Sequence, residues 1–182
     1  MSCYGSKEMA DAFRTVRRNT LKIAEEIGEE HYGFRATPDT RTIGETLVHI
    51  ANVCKLPEQI HRVEKLRTLA DFDFMSFFLP LIEDEKKARN KAEIIALLTE
   101  GGDHFSKWME SLSDEFLAEA VEYPAGMTPP TKTRFEMLLG VKEHEMHHRG
   151  QLMLLQRMTG GVPHLTRDMM ARFAAMATAA KG

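Results

Sequence analysis

Apolar residues recur at helical intervals along almost the whole chain, and no stretch sustains the alternating pattern of a β-strand. The first stripe, which includes Phe13, Val16 and Ile23, predicts a helix from Lys7 to Ile27 that ends near Gly28. A helix with one apolar face has to bury that face against other elements. The opening pattern therefore predicts a chain built from packed helices.

A second helix is predicted to begin at Thr42, after a polar connector over residues 31–41. Thr42 and Glu45 have the spacing of a capping box, in which each side chain binds the backbone of the other residue. The apolar stripe continues past Pro57 to Leu69, although a proline removes one backbone hydrogen bond from a helix. We therefore expect one helix that bends at Pro57 and ends at Leu69.

An aromatic segment over residues 71–80 is predicted to link this helix to a third one over residues 90–111. Its phenylalanines admit two interpretations: a loop that packs on the bundle or on another subunit, or part of a ligand pocket. Gly101 and Gly102 lie inside the third helix, where each glycine costs about 1 kcal/mol relative to alanine. We expect a packing or cavity requirement to offset that cost.

A fourth helix is predicted from Arg134 to Thr159, after a connector over residues 123–132 that is rich in proline and glycine. Thr133 and Glu136 form a second capping box at its start. A short helix rich in methionine and alanine, Thr166–Ala179, is expected to end the chain.

Four long amphipathic helices predict an all-α fold, a four-helix bundle with an additional short C-terminal helix. The chain has 182 residues, which is a usual length for a single domain, so we expect one domain over residues 1–182.

Composition limits the classes of partner. The formal net charge of −3 offers no basic surface for nucleic acid. No apolar run is long enough to span a bilayer, and the N-terminus lacks the apolar core of a signal peptide, so we expect a cytoplasmic protein that does not bind membranes. In a reducing compartment, Cys3 and Cys54 are not expected to form a disulfide.

Candidate chemistry is concentrated in the fourth helix, where residues 144–148 read HEMHH and match the HExxH string of zinc peptidases. The inward stripe of this helix is predicted to be Met137, Val141, His144, His148, Leu152 and Leu155. Residues four apart lie roughly 40° apart around a helix and one turn along it, so His144 and His148 can reach one metal ion. His147 is expected to flank that site. The alternative is a pair of histidines with a structural role only.

A peptidase of this class needs a third ligand downstream, either a glutamate or a histidine that follows a glycine. The chain has no glutamate after Glu145. The glycine and the third histidine of the HExxHxxGxxH pattern would fall at positions 151 and 154, which carry Gln151 and Leu154. No predicted strand could hold a peptide substrate in an extended form. These departures weigh against a metallopeptidase.

His49 is the best candidate for a third ligand, because it lies on a face adjacent to the apolar stripe of the second helix. Three neutral imidazoles suit zinc, nickel or ferrous iron and leave coordination positions for water or substrate. The predicted metal ligands are therefore His49, His144 and His148, in an arrangement typical of a catalytic site.

Two stretches carry a family resemblance: YGFRATPDTRTIGETLVHIAN over residues 32–52 and EHEMHHRGQL over residues 143–152. Over residues 7–160 the sequence resembles the DinB/YfiT-like family of damage-inducible, four-helix-bundle metalloproteins. In that family an aromatic-Arg-x-x-Pro connector leads to a helix with one histidine, and the last bundle helix carries HxxxHRGQ. These elements fall here on His49, His144 and His148, with Arg149, Gly150 and Gln151 completing the second motif.

The resemblance implies a divalent metal on three histidines, zinc or nickel first and iron otherwise, in a homodimer. It also implies transfer of a low-molecular-weight thiol, such as bacillithiol or mycothiol, to a small electrophile, and the family includes thiol-dependent isomerases. A metal with an open position would bind the thiol as a thiolate. Glu145 or His147 could act as a base, or each could be a surface or outer residue, and Arg149 could hold a carboxylate.

Two other functions stay open. One is a non-catalytic metal-binding module of a stress response, in which a fourth protein ligand would close the metal site. The more remote one is a metal-dependent hydrolase.

Overall fold

The computed structural model describes residues 4–180, most of which are helical. The helices are α1 (Ser6–Glu26), α2 (Ile43–Asn52), α3 (Lys55–Pro57), α4 (Phe74–Glu85), α5 (Lys91–Glu110), α6 (Asp114–Ala118), α7 (Arg134–Met158) and α8 (His164–Ala179). A single 3-10 turn, Glu29–His31, follows α1, and a π-helical segment, Glu58–Val63, follows α3.

Helices α1, α2, α5 and α7 form the predicted four-helix bundle. α1 packs against α5 and α7, and α2 packs against the same two helices from the other side. Apolar residues from all four helices are buried between them, with Phe13, Leu47, Leu98 and Leu152 among those at most 1% exposed. The prediction of an all-α bundle is therefore confirmed.

Both predicted capping boxes start their helices. The Thr42 hydroxyl accepts from the Glu45 backbone N–H at 3.1 Å, and the Glu45 carboxylate accepts from the Thr42 N–H at 2.7 Å. The Thr133 and Glu136 pair repeats this arrangement with distances of 3.2 and 2.7 Å. These reciprocal bonds satisfy backbone donors that a helix start leaves free.

The predicted second helix is shorter and less regular than its sequence pattern indicates. α2 ends at Asn52, ahead of Pro57, and the helical path then continues through α3 and the π-helical segment to Val63. Lys65 has a φ of 52°, which no α-helix accommodates, so the path cannot continue to Leu69 as predicted. Leu69 instead donates its N–H to the carbonyl of Glu122 at 2.8 Å.

The segment predicted as an aromatic linker, residues 71–80, contains the first part of helix α4. The Asp73 side chain accepts from the Ser76 N–H at 3.0 Å and thereby caps the helix start. The helix tolerates Pro80 in its interior and runs on to Glu85. The rings of Phe72 and Phe74 lie 4.9 Å apart and pack on a small cluster of buried apolar residues, as in the packing interpretation of this segment.

The connector before α7 is not entirely irregular. It contains α6 and a small antiparallel hairpin of β1 (Ala120–Glu122) and β2 (Thr131–Thr133), in which Ala120 pairs with Thr133. The sequence pattern did not predict this two-stranded hairpin. Each strand has only three residues, which is too few for its alternation to emerge from a helical background.

Helix α8 begins at His164, two residues before the predicted Thr166. It contacts α1 near its own start, and most of its length is exposed. Within residues 4–180, no helix combines the length and the apolar character needed to cross a membrane. Cys54 is a buried free thiol whose pKa burial raises to about 12, whereas Cys3 lies outside the described residues.

A buried ion pair lies at the centre of the bundle. The Arg17 guanidinium donates to the Glu145 carboxylate with distances of 2.9 to 3.1 Å, and both side chains are at most 4% exposed. Arg17 also donates to the backbone carbonyls of Leu98 at 2.7 Å and Ile50 at 3.3 Å. One side chain of α1 is thereby bonded to α5, α2 and α7.

Gly102 makes room for that arginine. A β-carbon at this position would lie 2.9 Å from Cγ of Arg17 and 3.2 Å from its Nη1, which is closer than unbonded atoms pack. At Gly101, by contrast, the nearest atom to a β-carbon would be the Ala51 carbonyl oxygen at an ordinary 3.7 Å. The packing requirement that the sequence implied for the pair is therefore found at Gly102.

We expect Arg17→Met and Glu145→Leu each to lower the free energy of unfolding by about 3–5 kcal/mol, because each leaves the other charge buried without its partner. The double variant should lose less than either single variant, since it buries no charge. Urea unfolding of all four proteins measures this. Losses that simply add in the double variant would show that the pair is not coupled.

Candidate metal centre

Three imidazoles converge where α2 lies against α7. His49 comes from α2, and His144 and His148 come from successive turns of α7. The Nε2 atom of His144 lies 3.0 Å from that of His49 and 2.9 Å from that of His148. All three ligand atoms lie within 4.8 Å of one another, so the three predicted ligands are brought to one point.

Hydrogen bonds at the far side of two rings fix which nitrogen carries the proton. Nδ1 of His49 lies 2.7 Å from a carboxylate oxygen of Glu85, and Nδ1 of His148 lies 2.8 Å from the amide oxygen of Gln151. Both partners accept, so each Nδ1 donates. In the neutral rings, Nε2 of His49 and of His148 therefore presents a lone pair to the shared point.

A divalent cation fits this arrangement. Two Nε2 lone pairs face Nε2 of His144, and a single N–H of that ring cannot satisfy both. Three nitrogens around a tetrahedral zinc, each at about 2.0–2.1 Å, would be roughly 3.3 Å apart, close to the spacing found here. Carboxylate or amide acceptors behind the ligating rings are also usual in metal sites.

The site keeps two of its histidines neutral. Burial lowers the pKa of His148 to about 4, although its bond to Gln151 opposes the shift. Burial and the neighbouring His49 also lower the pKa of His144. A neutral imidazole is the form that ligates a metal, so these two rings do not have to lose a proton at neutral pH.

Glu85, the last residue of α4, is a part of the site that the sequence patterns missed. It is 7% exposed, bonds His49, and forms an ion pair with Arg41 at 2.6 Å. Burial opposes its ionisation, but the bonds from His49 and Arg41 outweigh burial and lower its pKa. Asp73 has the residue type of a helix cap and could have indicated the helix that ends at Glu85. Pro80 and the many phenylalanines favoured a linker over a helix in the sequence interpretation.

The buried face of α7 differs from the predicted one at two positions in the first half of the helix. Leu138 and Glu145 are buried, in place of Met137 and His144. His144 lies at the exposed edge of the stripe, and His148 is 9% exposed. The two histidines thus open towards the side of the bundle, where a small molecule can reach them.

The weaker site candidates have different surroundings. Glu145 is completely buried in its pair with Arg17, unlike the surface or outer position expected for it, and is not among the converging ligand atoms. His147 is exposed and accepts from the Gln151 amide at 3.2 Å. The Nε of Arg149 is buried and meets no acceptor among residues 4–180.

Two cavities lie on either side of the histidines. The larger cavity, of about 640 Å³, is lined by His148, Gln151, Arg35, Arg41 and Lys86 among others. The smaller cavity, of about 260 Å³, is lined by His144 and mostly apolar side chains. Each cavity therefore reaches one histidine of the cluster, and the two linings differ in chemistry.

We expect His49→Ala, His144→Ala and His148→Ala each to lower metal affinity by more than about 100-fold. Loss of a residue that only hydrogen-bonds a metal ligand costs up to about 100-fold, and loss of a ligand itself should cost more. His147→Ala is the control and should retain one ion per chain, because its ring faces Gln151. Metal content by mass spectrometry after dialysis measures this. Full occupancy in His49→Ala would contradict the three-histidine site.

Glu85→Gln should lower metal affinity by roughly tenfold, because an amide is a weaker acceptor for the His49 N–H than a carboxylate is. Asp84→Asn is the matched control, since Asp84 bonds Arg89 and Asn52 and not the histidines. Competition with a chromophoric chelator gives both affinities. Equal losses in the two variants would indicate a general charge effect.

Comparisons with known proteins support the helical fold described above. The family model of the DinB superfamily matches residues 12–152. No curated protein matches the sequence. Among solved structures, YfiT from Bacillus subtilis is similar with a TM-score of 0.67 and 16% identity over 88% of this chain and 91% of that one. YfiT is described as "a probable metal-dependent hydrolase with an unusual four-helix bundle topology".

A DinB-like protein from Bacillus subtilis, YjoA, is similar with a TM-score of 0.62 and 19% identity over 85% of this chain and 94% of that one. At such identities the two structures support the fold alone. The family model rests on the sequence and spans most of the bundle, including all three converging histidines. This chain therefore belongs to the DinB superfamily.

Proposed function

We propose that the protein is a metal-dependent transferase that joins a low-molecular-weight thiol to a small electrophile. The observation that carries the proposal is the set of three converging imidazoles with a cavity on each side. Among residues 4–180, no fourth side chain joins the cluster, which leaves coordination positions for a substrate atom. Membership of the DinB superfamily supports the same function.

The chemistry requires a sulfur nucleophile at neutral pH. A divalent ion on the three histidines would lower the pKa of a bound thiol and hold its sulfur as a thiolate. In the transfer, a sulfur–carbon bond forms while the bond from that carbon to its leaving group breaks. The leaving group takes the bonding electron pair, and the proton of the thiol passes to solvent.

The larger cavity suits the thiol. Its lining carries both charges, with the cations Arg35, Arg41 and Lys86 and the carboxylates of Asp39, Glu45 and Glu85. Natural low-molecular-weight thiols such as bacillithiol and mycothiol carry polar groups that such donors and acceptors can bind. His148 and Gln151 line the same cavity, so a thiol held there can place its sulfur beside His148, one of the three histidines. This part of the chain binds and orients the nucleophile.

The three-histidine set suits zinc or nickel first and ferrous iron otherwise. We further propose a cytoplasmic homodimer with a role in a stress response, on the strength of the family resemblance.

Two alternatives make different demands on the site. A hydrolase, the activity given as probable for YfiT, needs a base beside its water. The carboxylates of Glu85 and Glu145 are already bonded to Arg41 and Arg17, which leaves His147 as the candidate base. A binding module needs no open position, whereas the three-histidine cluster leaves one, and this favours a catalytic function.

Metal-loaded protein should accelerate the reaction of a panel of thiols with iodoacetamide and with 1-chloro-2,4-dinitrobenzene, and a chelator should abolish the acceleration. His144→Ala should lose at least 10²-fold in rate, in line with the loss of a group that activates the nucleophile. The consumption of free thiol, followed over time, measures this. Metal-dependent hydrolysis of nitrophenyl esters without thiol transfer would favour the hydrolase, and inactivity in both assays would favour the binding module.

A further inference from the structure

The smaller cavity has a mostly apolar lining that includes one of the three converging histidines. Val53, Leu56, Ile60 and Val141 line it, together with His144. An apolar cavity of roughly 150 Å³ holds a benzene molecule. A cavity of about 260 Å³ therefore has room for a benzene ring with substituents.

A second histidine lines this cavity and has an unused donor. His61 is 1% exposed, and its Nδ1 lies 2.7 Å from Nη1 of Arg134. A guanidinium can only donate, so Nδ1 accepts and the ring proton is on Nε2. This Nε2–H is buried and has no acceptor among residues 4–180.

The protein holds this ring firmly in its neutral form. Burial, followed by the charge of Arg134, lowers the pKa of His61 to about 4. Arg134 is itself fixed by an ion pair with Glu119 at 2.8 Å, by the Leu66 carbonyl at 2.9 Å, and by the Phe116 ring at 4.7 Å. A buried donor that is held in place without an acceptor costs free energy unless a ligand supplies one.

We infer that the smaller cavity binds the electrophile, as a small uncharged molecule with an aromatic or similarly apolar body and one nitro or carbonyl oxygen that accepts from His61. The electrophilic role rests on the proposed transfer function, whereas binding of such a molecule does not. Lys132 and Glu136 line the cavity as well and carry opposite charges, so they do not select for an ionic ligand.

The position of His61 also suits the transfer. The reacting carbon would lie towards His144, where the thiol arrives from the larger cavity, with the oxygen of the electrophile towards His61. When sulfur adds to an activated ring or a conjugated carbonyl, negative charge develops on that oxygen. An N–H donor already in place stabilises this charge. For a chloronitrobenzene, chloride then leaves with the electron pair of the broken carbon–chlorine bond.

Binding can be tested without turnover, because 1,3-dinitrobenzene has no leaving group and no thiol is added. Calorimetric titration of metal-loaded full-length protein should show one site. His61→Asn should weaken binding roughly tenfold, the effect of one lost hydrogen bond. His61→Gln should stay within about threefold of the parent, since its amide N–H can reach the position of the Nε2–H.

Gly140 supplies a second variant that is independent of His61. It lines the smaller cavity, and a β-carbon there would meet no atom within 4 Å, so Gly140→Leu can fold and fill the space. Dinitrobenzene binding should be lost in Gly140→Leu and largely kept in Gly140→Ala. No binding to the parent, or equal binding by the parent and Gly140→Leu, would overturn the inference.

Kinetics separate this inference from the proposed function. In Gly140→Leu, the metal-dependent rate with 1-chloro-2,4-dinitrobenzene should fall at least tenfold, while in Gly140→Ala it should stay within about twofold of the parent. In His61→Asn, kcat for the aryl chloride should fall and its KM should rise, while the KM for the thiol should not change. No transfer to iodoacetamide or to the aryl chloride, with dinitrobenzene still bound, would contradict the transferase and leave the cavity assignment standing.

Discussion

The ion pair between Arg17 and Glu145 is the interaction on which the arrangement of the bundle depends. Its guanidinium bonds a carboxylate of α7 and backbone carbonyls of α5 and α2, so α1 is joined to the three other bundle helices at one level. Removing two charges from water is costly, and that cost is offset only if every polar atom finds a partner. The rotation of α7 about its axis is therefore fixed by Glu145, and the rotation of α7 determines where its histidines point.

This dependence explains the HExxH string. His144 and His148 lie on the side of α7 that opens to α2 and α4, whereas Glu145 is one residue further round and points into the core. In a zinc peptidase the glutamate of this string is the general base. Here the same string combines two candidate metal ligands with a buried core residue, because the histidines and the glutamate lie on different faces of α7. His49 is held from outside the bundle by Glu85 of α4.

The sequence was most informative where a single local interaction decides the structure. The capping boxes at Thr42 and Thr133 located two helix starts, since the residues involved are neighbours in the chain. The predicted inward stripe of α7 was wrong at Glu145, because a charged residue is normally assigned to the exposed face of a helix. Its burial is stabilised by Arg17, which lies 128 residues away in the chain. Glu85 was missed for a related reason: its importance arises from contact with His49, which no local pattern encodes. Hydrophobic periodicity does not show which residues distant in the chain come into contact in the fold.

The close approach of Gly102 to Arg17 also restricts how this protein can diverge. A side chain at position 102 would collide with the arginine, and loss of the arginine would strand the carboxylate of Glu145. The side chains allowed at the three positions are therefore coupled. Apolar residues in place of the ion pair would remove the constraint on position 102, whereas a side chain placed at position 102 first would have to displace the arginine from its carboxylate.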